Sequence, residues 1–347
     1  MHDRTARHET AAGVLAVLSG TPLHHAAADI GMQPAELADA IEVYQTAGTA
    51  ALDALTVACD WYQVRIQFPD WDIAEQIAAT RLGPHLRQAQ NTGVLTGWWF
   101  IRKAPCWRLR CRPGPTTTVA DVRAAMSSIL HGLTATDLID GWWESIYEPE
   151  ALAFGGPPGM RIAHDLFHGD SAAILDYLRH HHHAGPTTDA IGRRELSILL
   201  CTALFRAAGQ EWHEHGDIWH RVTAMRPLPP DLPTHRIGDL TAHLYRLVAA
   251  DTTPNGPLFG TGGPLASAAA WATAFTDAGQ ALGKAARNGT LQRGRRDTLA
   301  HHVIFHWNRL GLSARTQSVL ARATCDTVMN PPTSKPLASG STDVART

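Results

Sequence analysis

Arginines at alternate positions carry the clearest chemical signal in this sequence. In Trp107-Arg108-Leu109-Arg110-Cys111-Arg112, strand alternation sends Arg108, Arg110 and Arg112 to one face and Trp107, Leu109 and Cys111 to the other. A second alternating run, Trp61 to Phe68, sets Gln63, Arg65 and Gln67 against Tyr62, Val64, Ile66 and Phe68. If the two strands are neighbours, Arg65, Arg108, Arg110 and Arg112 share one sheet face, which is an anion-binding surface. The competing reading is a solvated face whose arginines pair with carboxylates from elsewhere. Far downstream, His302 and His306 lie one helical turn apart, and Arg309 follows His306 by three residues. A histidine beside an arginine suits general acid–base work, because the neighbouring charge holds its pKa down. The same spacing also suits a buried polar contact between helices.

Other constellations carry less. The tract His180 to His183 ends a helix, where imidazoles suit the dipole, and adjacent helical residues face different directions, so no metal site is expected. Glu211-Trp212-His213-Glu214-His215 lacks the H-E-x-x-H spacing of a zinc helix. The Gly-rich runs at 154–159 and 260–263 match no phosphate-binding loop, and no G-x-S-x-G elbow is present. The cysteines, Cys59, Cys106, Cys111, Cys201 and Cys325, form no C-x-x-C pair and support neither a disulfide framework nor a cysteine zinc site.

The elements that must position the arginines follow from periodicity. Strands are expected at 61–68, 97–102, 106–112 and 139–147, with helices over 72–89 and 119–133 between them. This β-α-β-β-α-β order is the ferredoxin-like pattern, whose sheet carries helices on one face and can leave the other open. From residue 160 onward helices are expected at 160–182, 190–225, 235–250, 265–287 and 293–328, so the fold class is α+β with a mostly helical second half. The chain has 347 residues, 44% hydrophobic and 18% charged, which excludes wholesale disorder; the residues after Asn330 are expected to form a disordered tail.

Residues 1–58 read as a small helical module. A helix around Val14 to Leu18 breaks at Gly20-Thr21-Pro22, and a second helix runs from Pro34 through Leu37, Ile41 and Tyr44. The shape is that of a helix-turn-helix. Residues 11–50 nevertheless contain no Lys or Arg, while Asp29, Glu36, Asp39 and Glu42 give a charge of −4, a sign that repels phosphate. Packing or docking of a protein partner is expected instead of DNA. The whole chain has a net charge of −2, no apolar run near the roughly 18 residues of a membrane span, and no apolar signal-peptide core in MHDRTARHET. A cytoplasmic location is expected.

Residues 59–329 resemble the SpaB-type C-terminal domain of lantibiotic dehydratases, which also stands alone in thiopeptide-type bacteriocin biosynthesis proteins. The matching segments are Trp98 to Arg102, Arg108-Leu109-Arg110, Tyr147-Glu148-Pro149-Glu150, Gly155-Gly156, Phe167 to Ser171 and His306 to Leu310, in family order. Two departures stand out. The family's H-L-R-x-R strand appears as Trp107-Arg108-Leu109-Arg110 without its histidine, and its R-Y-G-G has Ala153 and Phe154 in place of arginine and tyrosine. That arginine is associated in the family with glutamate elimination.

The resemblance implies an enzyme that modifies a ribosomally made precursor peptide without metal or organic cofactor. Its leading activity is elimination of glutamate from glutamylated Ser or Thr, alongside a separate glutamylating or dehydratase protein. The alternatives are a [4+2] joining of two dehydroalanines with loss of the leader, and a non-catalytic role in presenting precursor to a dehydratase. It carries over Arg108, Arg110 and His306 as catalytic residues, and Tyr147, Glu150, Asp170, Ser171, Asn308 and Arg309 as substrate-binding residues; Arg65 and Arg112 join the substrate-binding set from the shared arginine face.

Overall fold

The computed structural model describes residues 2–57, 61–184, 191–231 and 235–331. The expected tail after Asn330 falls almost wholly outside them, as do Cys59 and the boundary expected at 58/59. Helices α1 (His2–Leu18), α2 (Leu23–Asp29) and α3 (Pro34–Val57) come first. Val14, Ala26, Ala27 and Leu37 give them a small core of their own. The short turn between α2 and α3 contains Gly31 at φ 65°, so the helix-turn-helix shape is present.

The sheet then forms from β1 (Tyr62–Gln67), β2 (Leu95–Lys103), β3 (Cys106–Pro113) and β4 (Gly141–Ser145), in the order β2-β3-β1-β4 and antiparallel throughout. That is the ferredoxin-like arrangement. Between β1 and β2 run α4 (Trp71–Ile77), a π turn (Ala78–Leu82) and α5 (Gly83–Asn91) as one rod; between β3 and β4 runs α6 (Val119–Ala135). Asp70 caps α4 by accepting from the Asp72 amide, and Thr118 with Asp121 forms a capping box on α6. The apolar residues Tyr62, Val64, Ile66, Leu109 and Cys111 pack with Leu82, Leu86, Val122, Met126 and Leu130 of these helices in the main core.

The helical half contains α7 (Gly156–Ala184), α8 (Arg193–Ala207), α9 (Trp212–Met225), α10 (His235–Ala249), α11 (Ala269–Arg287), α12 (Arg295–Leu310) and α13 (Ala314–Met329). The single helices expected over 190–225 and 293–328 are each two. Gly209 at φ 71° and Gly311 at φ 79° end α8 and α12 in the left-handed conformation that glycine adopts at least cost.

The sheet's second face departs from the expectation of an open surface. Phe154, Met160, Ala163 and Phe167 pack over Trp61 and Trp99 as a second cluster, so the β2–β3 half of that face is covered by α7 and the loop before it. Gly155 (φ 89°) and Gly156 (φ 85°) let that loop turn tightly, and a Cβ at either would strike Leu291 or Gln292. Arg110 lies beneath this cover, only 6% exposed. Toward β4 the face stays accessible, with Arg65 and Arg108 half-buried and Trp143 exposed.

Candidate active site

Register places the arginines in rows across the sheet. Trp99, Arg110, Gln63 and Ser145 form one row; Ile101, Arg108, Arg65 and Trp143 form the next. Arg110 Nε donates to Gln63 Oε1 at 2.7 Å, and Gln63 Nε2 donates to Ser145 Oγ and to the Ile146 carbonyl, each at 2.8 Å. The Arg110 guanidinium lies over Trp99 at 4.0 Å and Tyr147 at 4.9 Å. Burial lowers its pKa to about 10, with Arg108 adding to the shift and Tyr147 opposing it. The group remains cationic at neutral pH. Its Nη1 is buried with no hydrogen-bond partner, a donor held ready without an acceptor.

These residues form one wall of a cleft of about 440 Å³ lined by Trp99, Ile101, Arg102, Lys103, Arg108, Arg110, Tyr147, Glu150, Phe154, Met160, Arg226, Ile304, Phe305 and Asn308. Arg102 shares Glu75 with Arg193; burial alone would raise the Glu75 pKa, but both guanidiniums together hold it below the ordinary value. Arg226 donates to Gln317 Oε1 at 2.8 Å, and Gln317 Nε2 donates to Asn308 Oδ1 at 3.0 Å. This leaves the Asn308 amide nitrogen as the donor available to the cleft. Arg108 has no ion-pair partner among the described residues. Glu150 is the lining carboxylate. Behind the wall, Tyr147 Oη and His164 Nε2 are 2.7 Å apart. Burial, then Arg112 and Arg110, push His164 down to about 3, and burial raises the Tyr147 phenol against the opposing charge of Arg110. Both groups are neutral at physiological pH.

The sequence matches the family described as lantibiotic biosynthesis dehydratase C-term over residues 61–328. The chain belongs to this family. Among solved structures, the tRNA dependent lantibiotic dehydratase MibB from Microbispora sp. 107891 is similar over 78% of this chain and 28% of its own, at 21% identity and TM-score 0.59. TsrL is similar over 78% of this chain and 97% of its own (16% identity, TM-score 0.51). The pyridine synthase TbtD from thiomuracin biosynthesis matches over 78% and 98% (14% identity, TM-score 0.51). The chain thus spans little more than a quarter of MibB, and these likenesses establish the fold. No curated protein matches.

The domain carries a second polar cluster, which holds three of the remaining expected site residues, Asp170, His306 and Arg309. Asp170, fully buried, accepts from Trp271 Nε1 at 2.8 Å, from His306 Nδ1 at 2.9 Å and from Arg309 Nε at 2.7 Å. Burial alone would raise its pKa, but His306 and Arg309 hold it below the ordinary carboxylate value. Arg309 rests its guanidinium over Phe167 at 4.3 Å. His306 is 1% exposed, with Phe275 5.0 Å away edge-on, and it does not line the cleft. This placement corresponds to the buried interhelical contact that its spacing also allowed.

Ser171 is likewise buried, and its Oγ accepts from the Phe100 backbone N–H at 3.2 Å. His168, one turn back, meets the Trp98 carbonyl at 2.9 Å, so α7 satisfies the outer edge of β2. Arg112 pairs loosely with Asp165 at 3.8 Å and Arg65 lies beside Arg108, both outside the cleft lining. The structure therefore brings Arg108, Arg110, Tyr147, Glu150 and Asn308 together. It sends Asp170, Ser171, His306 and Arg309 into the interior. Arg102 joins the cleft from the matching segment Trp98 to Arg102, while Lys103 and Arg226 join it without a sequence signal, Arg226 being delivered by the end of α9. His164 could have been found from its place two turns into α7, facing the aromatic run of β2.

Proposed function

We propose that the cleft eliminates a carboxylate leaving group from an acylated Ser or Thr of a ribosomally made precursor peptide, the acyl group being glutamyl. The observation that carries this reading is the charge of the lining: Arg102 is paired with Glu75, and Lys103, Arg108, Arg110 and Arg226 outnumber the one lining carboxylate, Glu150. A neutral substrate gives such an excess nothing to do. A departing glutamate carboxylate gives it an anion. Glu150 takes the α-proton; the electron pair becomes the Cα=Cβ bond, and the Cβ–O pair leaves with glutamate. The free Nη1 of Arg110 and the amide of Asn308 are donors for the peptide carbonyl as enolate character develops. His306, held by Asp170 in the interior, is assigned a positioning role on α12 and not proton transfer.

Incubating the protein with a glutamylated peptide and with its dehydrated counterpart, and following both by mass spectrometry, tests this. Loss of glutamate from the first is expected, and Glu150→Gln should slow that loss by roughly 10²–10⁴ while leaving peptide binding intact. Binding of glutamylated peptide without any turnover would favour the role of a protein that presents precursor to a dehydratase.

A second reading is supported by the neutral Tyr147–His164 pair. Joining two dehydroalanines requires a weak acid that can protonate an amide without carrying charge, and a phenol hydrogen-bonded to an uncharged imidazole fits that task. The near full-length correspondence with TbtD and TsrL also supports it. Cyclisation of the dehydrated peptide, lost in Tyr147→Phe, is its signature.

A further inference from the structure

The two edges of the sheet are treated differently. On the β2 side, His168 and Ser171 of α7 meet the backbone of Trp98 and Phe100. On the β4 side, among the described residues, no backbone N–H or C=O of Gly141–Ser145 makes a hydrogen bond outside the ladder to β1. No residue from Gly141 to Glu150 is buried. Trp143 is 41% exposed, Ile146 87% and, beyond the segment, Leu152 80%. An open edge flanked by apolar side chains is a hazard for self-pairing, which soluble proteins ordinarily blunt with charge, proline or a covering element. Here it is retained, and the chain leaving it runs directly into the cleft wall at Tyr147 and Glu150.

We infer that the β4 edge docks an extended segment of the peptide substrate, which adds a strand to the sheet and leads the reacting residue into the cleft. The inference rests on the reading of the cleft as a peptide-modifying site. Continuity decides the occupant: the chain that leaves β4 at Ser145 enters the cleft lining at Tyr147, two residues on, so a strand paired along β4 ends beside that wall, and the five residues of β4 give about 17 Å of ladder. Backbone pairing supplies affinity with little dependence on sequence, and Trp143, Ile146 and Leu152 favour apolar side chains at alternate positions of the guest. The edge would hold the parts of a long peptide that do not react, leaving the chemistry to the cleft.

The test uses the full chain and two synthetic probes: a glutamylated Ser with blocked ends, and the same residue extended by alternating Val and Thr. Ile146→Asp combined with Leu152→Asp changes side chains that are already in water, so the fold is retained. The double variant should raise the KM for the extended probe roughly tenfold, with kcat unchanged and the short probe unaffected. Hydrogen exchange at the Gly141–Ser145 amides should slow when a fluorescein-labelled, unacylated form of the extended probe is bound. That binding arm needs no turnover, so it stands even if the proposed reaction fails. Equal losses for both probes, no exchange protection, or no binding of the extended probe would each overturn the inference. A β4-to-β4 dimer dispersed by Ile146→Asp would overturn it as well, and would assign the edge to a second copy of the chain.

Discussion

Helix α12 separates two polar clusters that contain the same kinds of side chain and do opposite things. Toward the cleft it presents Ile304, Phe305 and Asn308, where cations outnumber the carboxylate and surround about 440 Å³ of space. Toward the interior it presents His306 and Arg309, where buried Asp170 accepts from three donors, while Arg309 Nη1 and Nη2 and His306 Nε2 are buried without a partner. Both sides hold buried donors without partners, and the difference lies in the carboxylate and the cavity. Cations in excess around a cleft call for a ligand, and a cation paired with a buried carboxylate holds helices together.

The largest expected effect breaks the interior cluster. Asp170→Ala strands Arg309 and His306 away from water, and removing one partner of a buried pair typically costs about 3–5 kcal/mol. Urea unfolding should show that loss directly. A variant as stable as wild type would mean that the cluster opens to solvent, and the contrast between the two sides of α12 would disappear.

Arg110 comes next, since it is buried like the interior cluster yet belongs to the cleft. Arg110→Met keeps its aromatic packing and removes the charge. Turnover should fall by roughly 10²–10³ with the variant folded, as for the loss of one preorganised donor. Near-normal turnover, followed by mass spectrometry, would move Arg110 into the structural class.

The contrast also explains what was legible in the sequence. Alternation in Trp107 to Arg112 and Trp61 to Phe68 is enough to place β3, β1 and a shared arginine face, because period-2 patterning is local to each strand. The cover over that face was not legible, since Phe154, Met160, Ala163 and Phe167 arrive from a helix whose docking angle no local pattern encodes. For the same reason the residues Phe167 to Ser171 and His306 to Arg309 were readable as a set but not as an interior one. The i,i+4 spacing that suits a catalytic pair is the spacing of any helix face, and burial decides between them. The breaks at Gly209 and Gly311 were single glycines inside helical patterns, where sequence alone gives no reason to stop.

A smaller effect sharpens the comparison through pH. Burial pushes His302 and His164 down to about 3, and His215 to about 4. An unfolded histidine titrates near 6.5, so the unfolded chain binds more protons between those values. Stability is therefore complete above about pH 6.5 and falls as the pH drops toward the folded values, by about 2 kcal/mol per neutral ring at about pH 5. Both His302 ring nitrogens are buried without partners between Phe154 and Phe167. His302→Leu should flatten part of this dependence and raise stability at acid pH. An unchanged slope in urea unfolding across that range would show that the ring is protonated or hydrated in the fold.

The smallest stability effect is expected at Arg108, and the direction of that effect matters. Arg108 lies directly opposite Arg65 in the ladder between β1 and β3. Like charges placed across a ladder destabilise it, and neither guanidinium has an ion-pair partner among the described residues. Arg108→Ala removes that repulsion together with a half-exposed side chain. Thermal unfolding should therefore stay within about 0.5 kcal/mol of wild type, or shift slightly upward. Activity should move the other way, because the cleft loses a cation that nothing else neutralises. A loss of stability would mean that Arg108 has a structural partner and that the surplus charge of the cleft is smaller than its lining suggests. Stability held or raised with turnover lost is the pattern of a side chain kept for a ligand, the reverse of the pattern expected at Asp170.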